Sequence, residues 1–299
     1  MSPVSAAGAA GEAKVAQAAR RPIAEWPWRR IIIVVAGVLT AILVLFSVFG
    51  WGGLDELASR RDLSRRLLPP GTEGHLLGTD GLGRDTLMRL LVGTRYTLII
   101  AALATAIAGS IGIGLGLLAV VGPAWVRALV GRLVDLTIAF PSLVLAIVMV
   151  GILGRGNLTL AIALGVFYWP SFTRVTLAQG RGVEVLQYVS AARLFGVSRL
   201  RIILFHILPG IAPTLSVVTA FQFASLLIST AGLSFLGLGP GLGVPEWGSM
   251  LAEARAEMTR APWLLIGPGL AIAWTVVLAN LIGDELAAGT RANRRSADS

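Results

Sequence analysis

The sequence of 299 residues contains no cysteine, which excludes disulfides and thiolate metal centres. Its single lysine, Lys14, stands in the context GEAKV. A phosphate-binding P-loop needs a lysine directly after its glycines, so the chain carries no ordinary Walker-type ATP site. Any ATP that drives it is held by another polypeptide. The two histidines, His75 and His206, are separated by several apolar blocks, and no metal site is expected from them. Neither a nucleophile with its base nor a set of metal ligands gathers anywhere along the chain, so it does not read as an enzyme. Charged residues make up only 14%. The apolar remainder is decisive: 55% hydrophobic residues and a mean hydropathy of +0.79 lie far outside the soluble range. These values predict an all-α, polytopic membrane protein. The net charge of +9 then reflects topology and headgroup attraction, and nothing points to nucleic acid.

Taken in order, residues 1–30 read as a polar, alanine- and glycine-rich tail that turns basic at Arg20, Arg21, Arg29 and Arg30. Residues 31–51 form a first transmembrane helix. Its apolar block, Ile31 to Phe49, is longer than a signal-peptide core and just covers the hydrocarbon at about 1.5 Å per residue. Residues 52–95 form a polar loop, broken at Pro69-Pro70-Gly71, that leads into GTDGLGRD. Here Thr79 or Asp80 is expected to cap a helix, with Gly81 and Gly83 tightening its start and Leu87, Leu90 and Leu91 sharing one face.

Residues 96–285 form a core of five further spans, giving six in all. The second, about 97–121, carries Ala104, Ala108, Gly112 and Gly116 at every fourth position, a stripe for close helix approach. The third, about 134–153, is expected to kink at Ala139-Phe140-Pro141, and the fourth runs from 158 to about 173. The fifth, about 211–234, places Thr219, Gln222, Ser225 and Ser229 at three- and four-residue spacing. That polar stripe faces protein or water, either for interhelical hydrogen bonds or as a lining of the solute path, with Leu226 and Ile228 toward lipid. A glycine-rich re-entrant segment follows over 233–251, then a polar helix whose alternating Glu253, Arg255, Glu257 and Arg260 read as a solvated face. The sixth span is 263–282, and residues 286–299 form a basic tail.

The most distinctive polar stretch lies between the fourth and fifth spans, in a loop over 174–208. Tyr188 to Phe195 contains good helix formers, Gly196 is suited to a left-handed stop, and Leu200 to Leu208 resumes an apolar pattern until Pro209. This predicts a helix, a turn and a second helix on the membrane surface. Ala191 and Ala192 are small enough for close approach by a partner, and Arg193, Arg199 and Arg201 supply charge.

With Ala191, Ala192, Gly196, Ile202, Leu208 and Pro209 in place, the stretch resembles the EAA loop of ABC-importer permeases, whose coupling helix docks on the ATPase. Ser190 stands where that family's glutamate is expected. Gly78, Thr79, Asp80, Gly83, Arg84 and Asp85 resemble the GTDxxGRD signature of the C-type permease subunit in dipeptide, oligopeptide and nickel importers, and LSFLGLG from Leu233 with Trp247-Gly248 resembles another segment of it. The resemblance implies a type I ABC-importer permease fold, with ATPase coupling through Tyr188, Ser190, Ala191, Ala192, Arg193, Gly196 and Leu200. It implies a B-type permease partner, two ATP-binding subunits holding ATP and Mg, an extracytoplasmic solute-binding protein, surrounding membrane lipids, and no cofactor in this chain.

The same likeness implies a multi-pass protein of the bacterial plasma membrane that forms half the path for dipeptides or oligopeptides, with nickel chelates or other peptide-like solutes as the alternative. An ion-coupled secondary transporter is the rival class. It would need a carboxylate deep in the membrane, whereas the acids here sit at span ends or in loops. With six spans, fifteen of the 25 basic residues fall on the side of the termini and ten on the other, which favours cytoplasmic termini, a cytoplasmic coupling loop and an extracytoplasmic GTDGLGRD segment.

Overall fold

The structure, a computed structural model, describes residues 37–38 and 53–297 apart from Glu73 and Leu242. The tail over 1–30 and the first apolar block, save Gly37 and Val38, lie outside the described residues. From residue 53 on, the described residues form ten α-helices: α1 (Gly53–Ser59), α2 (Thr86–Val121), α3 (Ala124–Ile138), α4 (Ser142–Leu153), α5 (Asn157–Glu184), α6 (Gln187–Leu194), α7 (Arg199–Ile202), α8 (Leu208–Phe235), α9 (Trp247–Ala256) and α10 (Ile266–Ala297). Among the described residues, four helical runs are long and apolar enough to cross a membrane: Thr86–Val121, Asn157–Glu184, Arg199–Phe235 and Pro262–Thr290. A fifth is supplied if α3 and α4, bent by 82°, count as one broken span.

Helix α2 is the axis. At 36 residues it is about 54 Å long, well beyond the roughly 30 Å of hydrocarbon, so it projects into the polar region. The expected break between a capped interfacial helix and the second span is therefore absent. The cap also differs: Asp85, not Thr79 or Asp80, accepts a bond from the Met88 amide at 2.9 Å, because the preceding residues are committed to a folded loop. The chain leaves α2 at Gly122-Pro123, where Pro lacks the amide to continue.

The small-residue stripe is the contact between α2 and α5. Ala104, Ala108, Gly112 and Gly116 are all buried. A Cβ at Gly116 would fall 2.5 Å from the Thr176 Cβ, and one at Gly112 would fall 2.5 Å from the Phe172 Cβ. At this closeness the Thr173 hydroxyl donates to the Gly112 carbonyl at 2.9 Å. Helix α5 runs through Pro170 to Glu184, well past the expected end near 173, since a buried proline in a packed span is tolerated.

Two apolar clusters lie along this pair. One joins Ile100, Ala146, Leu160, Leu164, Leu226 and Leu233 from α2, α4, α5 and α8. The other joins Leu117, Val120, Val189, Ile202, Ile207 and Ile211 near the far end of α2.

The second helix of the coupling stretch is not a separate surface element. Helix α7 leads through a π-helical turn, Ile203–Ile207, into α8, and Leu208 donates its amide to the Ile203 carbonyl. The widened turn makes room for Pro209, whose ring would otherwise strike the carbonyl one turn back, so the helix does not stop there. Helix α8 ends at Gly237, φ 82°, where the Leu238 amide reaches the Leu233 carbonyl at 2.9 Å in a Schellman turn. After the glycine-rich segment, α9 packs closely on α8, as a Cβ at Gly248 would lie 2.5 Å from the Ala231 carbonyl oxygen.

Replacing Gly116 by Val is expected to lower the unfolding temperature of the detergent-solubilised protein and the yield of folded chain. Gly114→Val, at a site with nothing within 4 Å, is expected to change neither. Equal melting curves for the two variants would show that the α2–α5 approach is not needed.

Candidate functional site

The two sequence-predicted constellations lie at opposite ends of α2. At its start, residues 62–85 fold into a compact knot. Gly78 and Gly83 have φ of 72° and 71°, and a side chain at either would strike the carbonyl of Leu68 or Asp62. Those positions therefore demand glycine. Thr79 is fully buried; its hydroxyl accepts from the Leu68 amide at 2.9 Å and donates to the Arg65 carbonyl. Asp85 joins its capping role to a contact with His75 Nδ1 at 2.6 Å.

Asp80 is the centre of the knot. One carboxylate oxygen accepts from the amides of Leu82 and Arg84, at 2.8 and 3.0 Å. The other accepts from Arg84 Nε at 2.7 Å and Arg89 Nη1 at 2.5 Å. Glu253 of α9 then takes Arg84 Nη2 and Arg89 Nη1, both at 2.7 Å. Burial alone would raise the Asp80 pKa; the Arg89 and Arg84 guanidinium groups and the two backbone amides outweigh it and hold the carboxyl below its ordinary value.

Glu253 therefore corrects the expectation of a solvated charged face: it is drawn inward because two buried guanidinium groups require counter-charge. Nearby, Glu246 is fully buried and caps α9, accepting from the Gly248 and Ser249 amides at 2.9 and 2.8 Å, while Thr97 of α2 accepts from the Trp247 amide at 3.0 Å. Burial pushes the Glu246 carboxyl up.

Arg89, Glu253, Glu246 and Thr97 were not singled out as a site from sequence. Two arginines at the start of an apolar span were the available signal, since such charges need acids. The acid that answers them stands 164 residues away from Arg89.

At the other end of α2, helix α6 projects from the body. Gly196 has φ 74° with no atom near its missing Cβ, and the Val197 amide closes the turn on the Ala192 carbonyl at 3.1 Å. Val189 is buried against Val120, Ile202 and their neighbours, which anchors the helix. Arg193 pairs with Glu184 at 2.5 Å, and the Tyr188 ring stacks on His206 at 6.0 Å. Ser190 and Leu200 are exposed, while Ala191 and Ala192 are half-buried. The residues most open to a partner are Leu194 and Phe195, 89% and 88% exposed, which the emphasis on the two alanines passed over.

The α8 stripe is divided. Thr219 and Ser225 are exposed; Gln222 and Ser229 are half-buried. The hydroxyls of Thr219, Ser225 and Ser229 each donate to the carbonyl four residues back, and Ser229 also meets the Tyr168 hydroxyl at 2.8 Å. The Gln222 Nε2 finds no partner among the described residues. Leu226 is fully buried in the core, and Ile228, 54% exposed, lies beside Ser225 on the open face. Leu226 therefore does not face lipid as expected, because the core pair α2 and α5 occupies the face that holds it, whereas Ile228 is exposed.

The family described as binding-protein-dependent transport system inner membrane component matches residues 108–289. The chain belongs to that family. The permease is 41% identical over 258 residues to the di/tripeptide transport system permease protein DppC of Pseudomonas aeruginosa, covering 84% of each chain. It is 36% identical over 263 residues to the glutathione transport system permease protein GsiD of Pectobacterium atrosepticum, covering 87% of each.

A chain of the inward-facing MetNI methionine ABC transporter shares the fold, with a TM-score of 0.57 at 20% identity over 68% of the permease and 96% of that chain. The protein is thus an ABC-importer permease subunit, multi-pass in the inner membrane and non-catalytic.

Asp80→Asn is expected to destabilise the permease by roughly 1.5–3 kcal/mol, the worth of hydrogen bonds to a charged group. Because the folded-state pKa lies below the ordinary 3.8, the carboxylate's contribution is complete above that value and is lost as pH falls through the lower one. Melting curves from neutral pH down to about pH 3 should show a steeper acid loss for the native chain than for Asp80→Asn. Parallel curves would contradict the charge cluster.

Proposed function

We propose that this permease is the C-type half of an ATP-driven importer of dipeptides or oligopeptides. It pairs with a B-type permease, two cytoplasmic ATPases that hold ATP and Mg, and an extracytoplasmic solute-binding protein. The observation that carries this reading is α6: a short helix, anchored by Val189 and stopped by Gly196, that presents Leu194 and Phe195 openly at one end of α2. A large exposed apolar pair of this kind marks an interaction surface, and in this reading the ATPase covers it. In this reading Tyr188, Ser190, Ala191, Ala192, Arg193 and Leu200 surround the docking surface, and the termini and α6 face the cytoplasm.

Peptides are favoured as solutes because the two relatives are named for di/tripeptide and glutathione transport. Nickel chelates and other peptide-like solutes remain the second choice. Closure of the ATPases pulls on α6, and α2, α5 and α8 rock together to open the path on alternate sides. The α8 face that carries the exposed Thr219 and Ser225 and the half-buried Gln222 and Ser229 lines that path. Its hydroxyls are already bonded to their own helix, which leaves the face polar but weakly binding, as passage requires.

Gly196→Val places a β-branched residue at φ 74°, a strain of about 1–3 kcal/mol, and is expected to cut dipeptide uptake about tenfold in proteoliposomes containing the whole importer while ATP hydrolysis persists. Unchanged uptake would refute docking through this turn. Uptake of a nickel chelate in place of dipeptide, by the native importer, would select the second solute class.

A further inference from the structure

A cavity of about 360 Å³ lies beside the knot, lined by Arg61, Arg66, Arg84 and Arg89 together with Asp80, Glu253 and Glu257. Arg89 is 2% exposed, and its bonds to Asp80 and Glu253 both leave from Nη1. Its Nε and Nη2 have no partner among the described residues, and neither does the hydroxyl of Thr86, three residues earlier and also on the cavity wall. Nε and Nη2 form one edge of the planar guanidinium, with two donors pointing the same way, the geometry that matches the two oxygens of a carboxylate. Thr86 and Arg89 share a helix face, so the hydroxyl adds a third donor.

We propose that this cavity is an oxyanion site that takes the carboxylate of a small solute on the Nε and Nη2 edge of Arg89, with the Thr86 hydroxyl beside it. Charge supports an anion over a neutral group. Four arginines face three acids around the cavity, leaving one positive charge uncompensated, and buried arginine donors need acceptors. The volume fits a group the size of one or two amino-acid residues. All three donors, Nε, Nη2 and the Thr86 hydroxyl, are closed off from water here, so seating the anion requires a small movement of the flexible arginine side chains around them. The site stands at the end of α2 opposite α6, where a solute would arrive in an importer. It extends the transport reading above, but binding by this chain needs neither ATPase nor uptake, so the two fail separately.

The test is calorimetric titration of the full purified chain in detergent at constant ionic strength, with glycylglycine, glycylglycinamide, acetate and inorganic phosphate as probes. Glycylglycine and acetate are expected to bind saturably with dissociation constants of about 1 mM, and glycylglycinamide, which lacks the carboxylate, is expected not to bind. Arg89→Lys keeps the charge but loses the two-donor edge, and is expected to abolish binding. Thr86→Val changes no bond of the charge cluster. It is expected to melt at the native temperature and to bind glycylglycine several-fold more weakly. Binding of the amide equal to that of the acid, an unaltered affinity in Thr86→Val, or no saturable carboxylate binding would overturn the proposal. Phosphate binding in clear preference to both carboxylates would overturn the assignment to a solute.

Discussion

The close approach of α2 and α5 is the constraint on which the rest of the permease depends. Within a bilayer, lipid tails are as apolar as leucine, so helices gain little by merely hiding apolar side chains; they gain by fitting together. Gly112 and Gly116 let α5 come near enough for Thr173 to donate to a backbone carbonyl of α2. That fit joins the apolar cluster around Leu160 and Leu226 to the cluster around Val120 and Ile207. A displacement applied to α6, which is seated in the second cluster through Val189, is thereby delivered to the whole pair rather than absorbed locally.

The opposite end of α2 is held by a different kind of bond. The buried Asp80, Arg84 and Arg89 and the half-buried Glu253 form a closed group of charges in which each carboxylate serves two guanidinium groups. Buried pairs of this sort add little net stability compared with apolar packing, yet breaking one is costly because it strands a charge. The cluster therefore specifies rather than merely strengthens: it fixes α9 and the glycine-rich segment against the start of α2. Gly93 lies directly under the Pro245 carbonyl, so the end of that segment is seated on α2.

Much of this was readable from residue patterns. The four-residue stripe of Ala104, Ala108, Gly112 and Gly116 marks a helix contact whatever the partner, and Gly196 marks a helix stop, because both follow from local geometry. What escaped was set by distant partners. Glu253 looked solvated because its neighbours alternate in charge, and nothing local reveals that Arg84 and Arg89 lie across from it. Pro209 looked like a terminator because the π-helical turn that accommodates it depends on Ile203 and Ile207 packing below. Leu226 looked lipid-facing because a leucine in an apolar span gives no indication of which neighbour covers it.

In the proposed importer the permease is moved from outside itself, through α6. Because the chain has no cysteine of its own, a single cysteine in place of Leu194 gives an unambiguous probe. In the assembled importer it should form a disulfide with a cysteine placed in the ATPase groove and should resist membrane-impermeant thiol reagents added to intact cells. Ready labelling of that cysteine from outside, without any cross-link to the ATPase, would contradict the account.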